Sequence, residues 1–196
     1  MAEAKIGRVL LASLHQAIGE VLPTELEFYE SWLNPNRLRE KEFGRAPFNA
    51  VFSFLRRQPD RYSAVVRLAG QYTADWTVAS FSSSRRTLIR ALPVALRVRV
   101  VVWLAGRTLR QLYDATRIRV RSGPAAIYID VRESLFCDVR DRAASPLCEF
   151  YAAALGRFLE RFELSAQAAV VHCRAQGHQE CRVALQVRSG SLASVD

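Results

Sequence analysis

The chain is nearly without lysine, holds only four cysteines, and has no long uninterrupted apolar run. A bilayer-spanning helix needs roughly 20 consecutive apolar residues. The nearest stretch, residues 98–105, is broken by Arg99 and bounded by Arg97 and Arg107. The N-terminal residues mix charges with apolar side chains and lack the continuous hydrophobic segment of a secretory leader, so a soluble, cytoplasmic protein with reduced cysteines is expected. A glycine-rich phosphate loop, H-E-x-x-H, G-x-S-x-G and C-x-x-C are all missing, which removes the local signatures of the common hydrolase, metalloprotease and redox chemistries. Glu133, Asp138 and Asp141 fall near cysteines, but in a segment rich in both signs, which reads as surface ion pairs. The chain is therefore expected not to be an enzyme.

Two lysines stand against 26 arginines, a skew that a GC-rich genome also produces. Residues 85–121 contain ten arginines and one acid, Asp114, and so carry the whole formal net charge of +9. Arg97, Arg99, Arg117, Arg119 and Arg121 are the candidate basic patch. Such a focused field suits an anionic lipid surface or an acidic protein partner, or is simply a solvated face. Nucleic acid is disfavoured, because no recognised binding motif and no aromatic series for base stacking accompanies the charge.

At 196 residues, half of them apolar, the chain suffices for one domain with a sizeable core. We place that domain at 1–188, with 189–196 as a flexible tail. Apolar residues at helical spacing predict a first helix through Ile6 and Val21. The Thr24…Glu27 capping box predicts a second helix running to Leu33, stopped by Asn34-Pro35-Asn36, with a polar surface loop after it. A third helix carries Phe48 and Phe52 and ends near Pro59. A fourth, over 61–81, carries Tyr72 and Trp76. Ser82–Ser84 cap a further helix to about Leu92, and Pro93 opens a long one to Tyr113 that holds Trp103 and is apolar nearly all round. That pattern predicts either a helix through the middle of the fold or a subunit interface. Phe48, Phe52, Tyr72, Trp76 and Trp103 are candidates for the wall of a hydrophobic ligand pocket, although ordinary core packing has the same spacing.

Residues 116–121 and 126–131 alternate as two strands around Gly123-Pro124. The organising stretch is 131–187, which holds all four cysteines. Ser145-Pro146 reads as a helix start that places Cys148 in the first turn, where the positive helix end favours a thiolate. Two strands then flank a turn at Gly177, with Cys173 and Cys181 four residues to either side and facing one another. The fold class is therefore α+β: a helical layer on a small antiparallel sheet of about four strands.

The segments SLFC, SPLCEFYAAALGRFL and HCRAQGHQECRV resemble the 4-vinyl-reductase domain family, whose fold is shared with subunits of the TRAPP trafficking complex. The resemblance covers about the last third of the chain. It implies a site in which Cys148, Cys173 and Cys181 hold zinc, with a glutamate as fourth ligand where this chain has Val170. Cys137 is the substitute, with His178 next. It also implies a homodimer and an effector acting downstream. The expected function is a sensor or scaffold that binds a small hydrophobic ligand and acts through a dimer and a partner protein. The alternatives are an accessory enzyme of pigment or tetrapyrrole metabolism using cysteine or zinc chemistry, and an adaptor that docks an anionic surface through 85–121.

Overall fold

The structure, a computed structural model, describes residues 5–33 and 44–188. The loop expected after Leu33 and the tail 189–196 lie outside the described residues. Helix α1 (Arg8–Val21) buries Leu10, Leu11, Leu14, Ala17 and Ile18 on one face, as its spacing predicts. The capping-box segment forms a 3-10 turn, Pro23–Glu25, and then only a short α2 (Leu26–Glu30), without a side-chain cap. Pro23 at the start of the turn fixes tighter local geometry than the sequence pattern anticipated. Helices α3 (Arg45–Leu55), α4 (Pro59–Ala79), α5 (Ser83–Arg90) and α6 (Val94–Leu112) follow as expected. The Ser82 hydroxyl accepts from the Arg85 amide and caps α5.

Strands β1 (Arg117–Ser122) and β2 (Ile127–Arg132) are joined through α7 (Glu149–Arg161) to β3 (Ala166–His172) and β4 (Cys181–Val187). The sheet is antiparallel throughout, in the order β1-β2-β4-β3. The expected class, helices on a four-stranded antiparallel sheet, is what forms. One sheet face presents Ile129, Val131, Val183 and Leu185 to the core, all fully buried. The other face carries Asp130, which is buried by Arg121 and Arg182 at 2.6 Å each. A carboxylate withdrawn from water is tolerable only when paired in this way.

The centre of the helical layer is the α4–α7 contact. There Gly70 lies so close to α7 that an added Cβ would stand 2.4 Å from the Phe150 carbonyl oxygen. The same two helices are joined by Asp75, whose carboxylate accepts from Arg157 (2.8 and 3.1 Å) and Arg161 (2.6 Å). Burial by itself would raise the Asp75 pKa, but the bonds from Arg161 and Arg157 outweigh it and leave it lowered. A depressed carboxylate pKa contributes stability that is present above the unfolded-state value, near 4, and is lost as pH falls through the folded value. Asp75→Asn should therefore lower stability at pH 7 by about 1–2 kcal/mol. It should also flatten the acid limb of the stability curve below about pH 4, read by urea titrations across pH. An unchanged acid limb would remove Asp75 from that role.

Three expectations are corrected in detail. Helix α7 begins at Glu149, not at Ser145-Pro146, and Cys148 is its N-cap residue, with no side-chain cap bond. The backbone before it is held instead by other contacts, including the Tyr62 hydroxyl on the Leu147 carbonyl at 2.7 Å. Cys173 is not itself in the ladder, because β3 ends at His172. The bulge between Val170 and His172 shifts the register so that His172 pairs with Arg182, which brings the next residue, Cys173, alongside Cys181, the first residue of β4, itself opposite Val131 of β2. Finally, α6 does not run through the middle of the fold: Val98, Val101, Val102, Leu104 and Leu109 face the core, while Leu96 and Trp103 are about half exposed.

Candidate functional site

Four backbone segments end at one point beneath the start of α7. Cys137 closes the 3-10 turn Leu135–Cys137, Cys148 caps α7, Cys173 follows β3 and Cys181 begins β4. All four are buried and unbridged. Their sulfurs lie within 4.8 Å of one another, with Cys137 3.4 Å from both Cys173 and Cys181. Metal–thiolate bonds of roughly 2.3 Å place tetrahedral sulfurs about 3.8 Å apart, so the spread suits a single soft ion. Two backbone amides are aimed at the sulfurs: Leu147 N–H at Cys173 and Arg174 N–H at Cys181, each at 3.4 Å.

These contacts split the thiols into two kinds. Cys173 is pulled far below an ordinary thiol, by contacts with Cys137, Cys148 and Cys181 and then by the Leu147 amide, and Cys181 is lowered by contacts with Cys137 and Cys148 and by the Arg174 amide. Cys148 is pushed far up by the other three cysteines and by burial. Cys137 is lowered by Cys148, but Cys173, Cys181 and burial raise it further. The cluster as a whole therefore resists holding several thiolates at once, because like charges a few ångströms apart repel in a low-dielectric site. A bound cation removes that resistance.

The sequence identified the four cysteines but not the amides of Leu147 and Arg174, which carry no residue-type signature. Their only sequence signal is adjacency to Cys148 and Cys173. His178 is not part of the cluster; its ring stacks on His172 at 4.6 Å. Val170 is on β3 and contributes no ligand atom.

The five expected pocket residues do not line one cavity. Phe48 and Phe52 are fully buried in the core, Phe52 lying 5.2 Å from Phe136. Tyr72 and Trp76 stack on one another on α4 at 5.3 Å, with Tyr72 bonded to Glu20. Trp103 lies on α6, 54% exposed, under the Arg107 guanidinium. Spacing showed that each faces something, while the crossing of α3, α4 and α6 sends them to three places.

The basic patch is likewise divided. Arg97 donates to the carbonyls of Leu92 and Phe162, Arg117 to that of Asp114, and Arg121 pairs with Asp130. Arg99 and Arg119 make no ion pair or hydrogen bond among the described residues.

No family model and no curated protein matches the chain. Solved structures do. An Fe(II) unliganded H-NOX protein from K. algicida matches with a TM-score of 0.58 and 9% identity over 95% of this chain and 98% of that one. An S. oneidensis H-NOX mutant in the Fe(II) ligation state gives 0.56 and 12% over 93% and 96%. The phenol-responsive sensory domain of the transcription activator PoxR, with phenol, gives 0.50 and 14% over 74% and 75%. These likenesses establish the fold. They also correct the family reading: the matched structures are H-NOX proteins and the PoxR domain, not 4-vinyl-reductase or TRAPP-subunit structures. The C-x7-C hairpin covers too little of the chain to decide a fold that the order of helices and strands along the whole of the described chain defines. Zinc, which that resemblance implied, is corrected with it, since the matched H-NOX structures are described with Fe(II). Nor does this chain offer a buried imidazole for such an iron. His15 bonds Glu30 at 2.8 Å on the α1–α2 side, and the other two histidines stack at the β3–β4 connection.

Proposed function

We propose that the chain is a small-molecule sensory domain whose four cysteines form a binding centre for a soft metal ion. The observation that carries the sensory reading is the likeness to H-NOX proteins over nearly the whole chain and to a phenol-responsive sensory domain over 74% of it. The convergence of four buried sulfurs, two of them facing amide donors, supports the metal centre. In this reading the ion ties the end of β2, the start of α7 and the β3–β4 connection into one rigid unit, so a ligand that shifts the helices works against a fixed sheet. Among the described residues, no helix is long and apolar enough to cross a membrane.

The output partner in this reading is another protein chain, beginning with a second copy. Leu96 and Trp103, at i and i+7, are exposed on the outer side of α6 with the half-buried Val100 between them, an apolar stripe that a second copy would cover. One experiment addresses the whole reading: native mass spectrometry of protein purified without added metal, with and without phenol. The expected spectrum is a dimer with about one soft metal ion per chain and a phenol adduct. A bare monomer that takes up no phenol would overturn it.

A further inference from the structure

Among the described residues, grooves of about 640, 860 and 700 Å³ differ in their charges. The groove over β3 and α7 holds Arg67, Glu149, Arg157 and Glu160, and the one between α3 and the 138–147 segment holds Arg56, Asp138, Arg140 and Asp141. Both carry acids beside their arginines, and several of these are already paired with one another or with backbone carbonyls. The third, about 700 Å³, is different. It lies where the core face of the sheet runs past its helical cover, between the first two turns of α6, the β1–β2 turn and the end of β4. Its walls are apolar: Val94 and Val98 on α6, Ile127 and Leu185 paired across β2 and β4, and Val187 at the strand end. Its one charged lining residue is Arg99, which has neither an ion pair nor a hydrogen bond among the described residues.

An apolar trough beside a single uncommitted guanidinium has a defined complement. The apolar body of a ligand gains by leaving water, and a carboxylate satisfies the fork of the arginine without meeting a competing acid. The formal positive excess of residues 85–121 adds to the field that an anion meets on approach. We propose that this groove binds a small amphipathic anion, an apolar body bearing one carboxylate, with Arg99 as the group that holds the carboxylate. This deepens, and rests on, the small-molecule sensory reading.

Octanoate and its neutral counterpart octanol are the probes, titrated into the full chain by amide NMR at low salt and again at higher salt. Octanoate is expected to perturb Ala125, Ala126 and Val187. Arg99→Gln should weaken octanoate about 10-fold and leave octanol unchanged, a difference worth about 1.4 kcal/mol. Ala125→Trp, at an exposed turn position, should block both while the melting temperature stays in place. Octanoate binding that is absent, that maps elsewhere, or that ignores Arg99→Gln would overturn the inference. A chain that still takes up phenol in that case keeps the sensory reading, and one that binds neither loses both.

Discussion

On the proposed metal-centre reading, Cys148→Ser should lower the melting temperature by about 10 °C and release the ion. Cys148 is fully buried at the N-cap of α7, and its side chain makes no capping bond. Serine there is nearly isosteric and is a good N-cap, a change that by itself would add up to about 1 kcal/mol. Any loss therefore reports the sulfur's part in the cluster and not the helix start. In the proposed reading the ion binds the folded chain and not the unfolded one, and losing a ligand gives up that linkage. Its contribution is about 2.7–4.1 kcal/mol when the ion is present at about 100 to 1,000 times its dissociation constant. For a domain of this length each kcal/mol corresponds to about 2–4 °C. A chelator should move the wild type toward the variant and leave the variant itself unaffected. Equal melting of both proteins, with no response to chelator, would mean that the four sulfurs only fill space.

The second large effect is expected far from any cysteine in sequence. Gly70→Ala places a methyl 2.4 Å from the Phe150 carbonyl oxygen and 3.0 Å from the Ala154 amide nitrogen, both of them backbone atoms of α7. Neither can swing aside as a flexible side chain would, so α4 and α7 must part. Alanine is the better helix former by about 1 kcal/mol, and overpacking a well-filled contact costs about 1–3 kcal/mol or more. A net loss of about 2 kcal/mol is expected by denaturant titration. The displacement also reaches the cysteine centre, because Phe150 stacks on Phe136 at 4.7 Å and these rings adjoin Cys148 and Cys137 in the chain. Gly70→Ala should accordingly bind the ion more weakly than the wild type. Unchanged stability would show that the two helices tolerate separation, and that the close approach is not what seats α7.

These two sites differ in how far they could be read without coordinates. The cysteines announced themselves by residue type, and the convergence of Cys148, Cys173 and Cys181 was expected, but not the device that sets the register. Up to Val170 the β3–β4 pairing is one residue off the symmetry about Gly177, and the bulge at Val170/His172 restores it, so that Cys173 reaches Cys181 just beyond the end of the ladder. Gly70 gave no signal at all, since a glycine inside a helical pattern is equally a weak point or a contact point. Asp75 and Asp130 were likewise unread, because Arg157, Arg161 and Arg182 stand 52 to 86 residues from the aspartates they pair with, and Arg121 meets Asp130 only across the β1–β2 ladder.

The sequence by itself determined the α+β class, the order of helices and strands, the Ser82 cap, the sidedness of α1 and the identity of the four cysteines. Each of these follows from neighbours within one or two turns or along one strand, where periodicity and capping chemistry act directly. The tertiary structure decided which aromatics share a surface, which arginines remain uncommitted, and how four segments deliver their sulfurs to one point. Those outcomes depend on helix crossings, strand order and a bulge, which are settled by packing between residues distant in the chain. Local pattern constrains that packing only weakly, which is why a motif in the last third of the chain resembled one family while the arrangement of the whole chain matches H-NOX proteins and a phenol-responsive sensory domain.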